Sequence, residues 1–281
     1  EVWDQLQDAT WGLIVVALAI GQTPRFSQAE STRGACPRPV AYGPLVLLQF
    51  SISFINLVLP STAARVAVNI RFFQRQGIPP ASAVSIGVID SLGGFAVQLM
   101  ILASVFLFGL GDVDLHLPAD STLGHGNVLT VLVVIAAVVL LAALVAFAVP
   151  KVRHRVVEKV TPWVHEVRET VGSLRSPTKL LQVLGGNLGA ELLFAVTLAI
   201  VLSAFHEPVP LGTLLVINVC VSLFAGLMPV PGGIGVTEGA LITGLSAAGV
   251  DQATAFAVTI TYRMITFYLP PIWGAACFHR L

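Results

Sequence analysis

Charge is what this sequence has least of. Only 11% of its 281 residues are Asp, Glu, Lys or Arg, against 56% hydrophobic, and the mean hydropathy is +0.87. A water-soluble domain needs far more polar surface, so the composition excludes one and leaves an all-α, polytopic transmembrane helix bundle. Cysteine is also scarce. Cys36, Cys220 and Cys277 are odd in number and far apart, with no CxxC or Cys/His spacing, so no metal site and no redox role is assigned. No Ser/His/Asp or Cys/His constellation appears, and the long polar loops that would house a soluble catalytic domain are missing. The segment is therefore not read as an enzyme, and no cofactor is expected. Lys plus Arg and Asp plus Glu balance at 15 each, so no overall basic signal points to nucleic acid. The information lies in how charge divides between loops. The chain opens at Glu1 without a signal-peptide pattern, and the expectation is one domain over 1–281 with room for a longer protein around it.

What the sequence has in quantity is apolar runs. Trp11 to Ile20 is short for a span, and Gln22 to Arg38, with Pro24, Gly34 and Pro37, reads as a polar loop. Tyr42 to Leu59 is long enough to cross and ends at Pro60-Ser61. Ser61 to Gly77 carries Arg65, Arg71 and Arg75, with Arg71 and Arg75 one turn apart on one face of an interfacial or cavity-lining helix. Ala81 to Leu110 holds one acid, Asp90. Gly111 to Asn127 has three aspartates and no Lys or Arg, Val128 to Val149 has no charge, and Lys151 to Lys179 has seven basic residues. By the positive-inside rule the basic segment is cytoplasmic and the acidic loop lies opposite. Leu180 to Phe205, with Glu191 inside it, and Leu211 to Leu227 complete this count. It puts Gln22 to Arg38 outside, in conflict with Arg25, Arg33 and Arg38.

The chain is organised around Met228 to Gly239, which packs two prolines and four glycines into twelve residues. Proline removes a backbone donor and glycine is the poorest ordinary helix former, so the helix from Leu211 stops here. The following run, Ala240 to Gly249, spans roughly 15 Å as helix, half of the roughly 30 Å hydrocarbon core. A re-entrant hairpin is expected, and irregular backbone at membrane depth is tolerated only in protein or beside a wet cavity. Pro229, Pro231, Gly232, Gly233 and Gly235 would form its tip, with backbone donors open to an anion such as a lipid phosphate. Glu238 follows, with Thr237 as the expected N-cap. Its role is either a cap or the capture of an amine or proton. Arg263 falls about twelve residues into the last helix, well inside the bilayer, and Glu238 is its expected partner, since neither charge is stable alone there. Asp90 and Glu191 are intramembrane carboxylates with either hydrogen-bonding or transport roles. Arg65 and Arg71 either grip lipid phosphates or anchor a cytoplasmic face.

The next pattern reads either as an internal repeat or as chance recurrence of the small residues common in membrane helices. Leu59-Pro60-Ser61, followed by Gly77 and Ala81, parallels Met228-Pro229-Val230, followed by Gly249 and Ala253. The span count makes the halves parallel.

The run Pro229-x-Pro231-Gly232-Gly233-x-Gly235-x-x-Glu238, then Gly249 and Arg263, resembles the signature of the lysylphosphatidylglycerol synthase transmembrane family, also described as flippase-like. The resemblance implies a plasma-membrane, multi-pass domain that moves or binds a phospholipid or a lipid-linked precursor. It leaves open a homo-oligomer or a flanking soluble domain. An ion-coupled transporter of a small solute, the membrane part of a lipid-modifying transferase and a plain anchor are the alternatives. The N-terminal half departs from the family: Ala64-Arg65 stands where a Gly-Glu pair is common, and Ile89-Asp90 where a Glu-Arg pair is.

Overall fold

A computed structural model describes residues 9–58, 62–108, 176–227 and 230–280. The acidic loop, the chargeless span and nearly all of the basic segment lie outside the described residues, as do Pro60, Ser61, Met228 and Pro229. Every described regular element is helical: α1 Trp11–Ile20, α2 Pro24–Ala35, α3 Tyr42–Val58, α4 Thr62–Arg75, α5 Pro80–Phe108, α6 Pro177–Ala204, α7 Leu211–Leu227, α8 Val236–Ala247, α9 Gln252–Arg263 and α10 Pro270–Arg280. Two of them, α5 and α6, contain stretches long and apolar enough to cross a membrane. Leu92, Phe95, Leu99 and Met100 of α5 and Leu181 of α6 face outward. An exposed belt of this kind suits a lipid solvent.

Gln22 to Arg38 is not a loop. The turn at Gly21 to Thr23 keeps helical hydrogen bonds, and Pro24 opens α2 at a position where its missing N–H is harmless. Together α1 and α2 run about 25 residues, roughly 37 Å, antiparallel to α6 along its length. Thr10 N–H donates to Ala204 O at one end, and Lys179 Nζ donates to Cys36 O at the other. The polar residues of α2 deceived the sequence reading because they face protein rather than water: Arg25, Ser31 and Thr32 are all buried. Close approach makes this work. Ser27 and Ser31 lie over Gly186 and Gly189, where a Cβ on Gly186 would sit 2.5 Å from Ser31 N. The antiparallel pairing also places Arg33 and Arg38 at the same end as Lys179, which removes the charge conflict of the span count.

Two helical hairpins fill out the bundle, one from each end. Leu45 and Leu48 of α3 pack with Phe72 and Phe73 of α4, beside Cys36 and Val183. Leu214 and Ile217 of α7 pack with Leu241 and Leu245 of α8, beside Ala204. Each hairpin thus returns to the end from which it starts, and the two start at opposite ends. Each also closes in the same way. Gly77 and Gly249 are left-handed (φ 74° and 92°), with Ile78 N–H on Phe73 O and Val250 N–H on Leu245 O. A long helix or helix series follows each. The repeat is therefore present, but the halves are inverted rather than parallel, because α1–α2 is itself a crossing helix and shifts the count by one.

Candidate functional site

The chain leaves helix after Leu227 and resumes it at Val236, with one short turn of 3₁₀ helix at Pro231–Gly233 between. Gly232, Gly233 and Gly235 have φ of 62°, 64° and 81°, a region closed to most side chains. Packing adds a second demand at Gly232, where a Cβ would stand 2.5 Å from Phe267 Cζ. At the tip, Val230, Ile234, Gly235 and Gly239 are exposed.

Directly behind the tip, Glu238 and Arg263 meet. Arg263 Nε donates to Glu238 Oε1 at 2.7 Å, and Tyr268 Oη donates to the same oxygen at 2.9 Å. The other carboxylate oxygen takes Gly235 N–H at 2.7 Å, the one half of a capping box that a glycine N-cap allows. The N-cap is Gly235 rather than the expected Thr237. Arg263 Nη2 reaches Gly232 O at 3.3 Å, and its guanidinium stacks 4.1 Å from the centre of the Phe267 ring. The side chains of the pair are only 9% and 12% exposed. The added bonds from Tyr268 and Gly235 to Glu238, and from Arg263 to Gly232 O, offset part of the cost of drying the pair.

The support for Arg263 comes from a π-helical turn, Met264–Tyr268, that follows it directly. Leu269 N–H bonds Met264 O, leaving Ile265 O without its α-helical donor, and Pro270 supplies none in the π register. Thr266 O has no donor in either register, since Pro270 and Pro271 stand at both positions. The α1–α2 turn supplies both. Gln22 Nε2 donates to Ile265 O at 3.1 Å, and Arg25 Nη2 donates to Thr266 O at 2.5 Å.

Asp90 and Glu191 stand in two separate clusters. Glu191 accepts from two amides, Gln98 Nε2 at 2.7 Å and Asn218 Nδ2 at 3.1 Å, and Asn218 Oδ1 in turn accepts from Tyr262 Oη at 3.3 Å. Tyr262 is the residue before Arg263, so this chain of bonds ends beside the ion pair. Asp90 is held by Ser31, Thr32 and Asn187, farther toward the Lys179 end. Arg71 is exposed on α4 and joins none of these clusters. Arg65 lies on the same helix, and Pro231 belongs to the tip.

Sequence reasoning missed Gln22, Arg25, Asn187, Asn218, Tyr262 and Tyr268. The Pro270-Pro271 pair was the signal available, since two adjacent prolines orphan carbonyls that something polar must cap.

Among curated proteins none matches this chain. The family model for the lysylphosphatidylglycerol synthase transmembrane region matches residues 1–274, and this chain belongs to that family.

Proposed function

We propose that this membrane protein moves a phospholipid or lipid-linked precursor between leaflets, using the Pro231 to Gly239 tip as the headgroup site. The observation that carries this reading is the sealed Glu238–Arg263 pair directly behind an exposed, non-helical turn in an apolar bundle. A zwitterionic or anionic headgroup finds backbone donors at the tip and opposite charges one layer deeper, while its acyl chains stay against the apolar belt. Arg263 and Glu238 then act by exchanging each other for headgroup phosphate and amine. The setting we infer is the plasma membrane, with no chemistry performed on the lipid by this segment. The test is a leaflet-resolved lipid assay on reconstituted protein carrying Ala at Gly232 and Gly233, with circular dichroism as the folding control. Unchanged lipid movement would remove the tip from the mechanism.

A second reading, ion-coupled transport of a small soluble solute, is favoured by the two carboxylates that have no cation partner among the described residues. Native mass spectrometry separates the two, since a lipid transporter retains headgroup-specific lipid and a solute transporter does not.

A further inference from the structure

Ser31 and Thr32 each offer one hydroxyl proton to two acceptors. Ser31 Oγ reaches a carboxylate oxygen of Asp90 and Val183 O, the latter at 3.1 Å. Thr32 Oγ1 reaches Asp90 Oδ2 at 3.0 Å and Gln28 O at 3.0 Å. Both hydroxyls also accept an amide, from Asn187 Nδ2 at 2.6 Å and Gln49 Nε2 at 2.8 Å. The arrangement closes its hydrogen bonds in two ways. With both hydroxyls turned to Asp90, the ionised carboxylate receives them and Asn187. With one turned to its carbonyl, Gln28 O for Thr32 or Val183 O for Ser31, a protonated Asp90 donates to that hydroxyl oxygen. Arrival of one proton with rotation of one hydroxyl converts one state into the other, and no group is left orphaned.

Glu191 shows what the alternative looks like. Its partners are two amide N–H donors, of which Asn218 is fixed by a further bond from Tyr262, so both its oxygens act as acceptors. Asp90 is also free of ionic partners among the described residues. The charged or titratable groups on the elements around it are otherwise occupied or turned away. Lys179 donates to Cys36 O and Pro37 O, Arg33 pairs with Glu30 at 3.6 Å, Arg71 and Arg75 are exposed, and Cys36 bonds Thr32 O. Neither α3 nor the rest of α5 carries a charged residue.

We infer that Asp90, with Ser31, Thr32, Asn187 and Gln49, is a proton-binding site whose loading and release couple transport to a proton gradient. The step is a simple transfer, carboxylate plus proton giving carboxyl, with the proton drawn from and returned to water. As a driver of lipid movement it rests on the function proposed above, but the site itself does not.

The experiment uses the full chain in vesicles of phosphatidylglycerol and phosphatidylethanolamine. Infrared difference spectra are recorded between about pH 4 and about pH 9, and transfer of tail-labelled phosphatidylglycerol is measured with and without an imposed pH gradient. We expect a carboxyl C=O band that titrates, vanishes in Asp90→Asn, persists in Glu191→Gln and returns shifted in Asp90→Glu. The gradient should accelerate transfer about tenfold, and Asp90→Asn should abolish that acceleration. A band unaffected by Asp90→Asn, or acceleration by a sodium gradient instead, overturns the proposal. An Asp90 band in a protein that moves no lipid leaves the proton site standing and overturns the lipid reading.

Discussion

Arg25 donates at 2.5 Å to the carbonyl of Thr266, a group for which the last helix has no donor in either the α or the π register. A residue near the start of the chain thus completes an element near its end, and that element carries the turn after Arg263. The guanidinium is buried and also bonds Gly21 O at 3.0 Å. Backbone carbonyls set its position, and among the described residues it has no counter-ion.

Replacing Arg25 by Met should therefore destabilise the protein by roughly 1–3 kcal/mol, the cost of a buried acceptor left unpaired. In a Pro270→Ala background a backbone N–H is restored to Thr266 O, and the same replacement should cost measurably less. A double-mutant cycle from thermal unfolding in detergent reads the difference. Strict additivity of the two substitutions would mean that Arg25 is held by something other than the proline break.

Loss of one member of the Glu238–Arg263 pair should cost more than loss of both. Glu238→Gln or Arg263→Met leaves a dry, unpaired group at a cost on the order of 3–5 kcal/mol, whereas Glu238→Leu with Arg263→Leu should recover a good part of it. Lipid transfer should stay lost in the double variant. If it returns along with stability, the pair is scaffolding only.

Gly232→Ala should slow leaflet-resolved lipid transfer by about tenfold or more, corresponding to at least about 1.4 kcal/mol on the barrier, while leaving helix content unchanged. The added methyl meets both a φ of 62° and the Phe267 ring. Adding Phe267→Leu to make room should restore part of the rate. Should it restore none, backbone conformation rather than the ring sets the penalty.

The buried placement of α2 gives a direct chemical test. A Cβ on Gly189 would stand 3.6 Å from Ser27 Cβ, inside the range for a disulfide. In a chain with Cys36, Cys220 and Cys277 replaced, Ser27→Cys with Gly189→Cys should cross-link under mild oxidation, giving a shifted band on a gel after cleavage between the two positions. A loop from Gln22 to Arg38 free in water would give no such product.

Much of the fold was legible from hydrophobicity alone. The runs containing α3, α5, α6 and α7 are dictated by apolar length, and the break after Leu227 by proline and glycine. The Glu238–Arg263 contact followed from the cost of leaving either charge alone in hydrocarbon. What could not be read was α2. Its polar residues carry the composition of a loop, and only the small residues of α6 facing them turn that composition into a buried interface. The π-turn was hidden for a related reason, since its stability depends on donors more than two hundred residues away. Inversion of the repeat was lost with it, because one missed crossing reverses the sense of everything counted through it.

The inverted halves carry an energetic consequence. A shape taken by one half at one face of the membrane has a counterpart in the other half at the opposite face, so the shared backbone framework contributes almost equally to both forms. The free energy between them is then left to the contacts that the halves do not have in common. The largest of these on view is Glu238 with Arg263, for which α3 and α4 offer no acid. Differences of a few kcal/mol suffice to populate one form over the other. On the transport role proposed above, the sequence asymmetry between the two halves would set the face toward which the resting molecule leans.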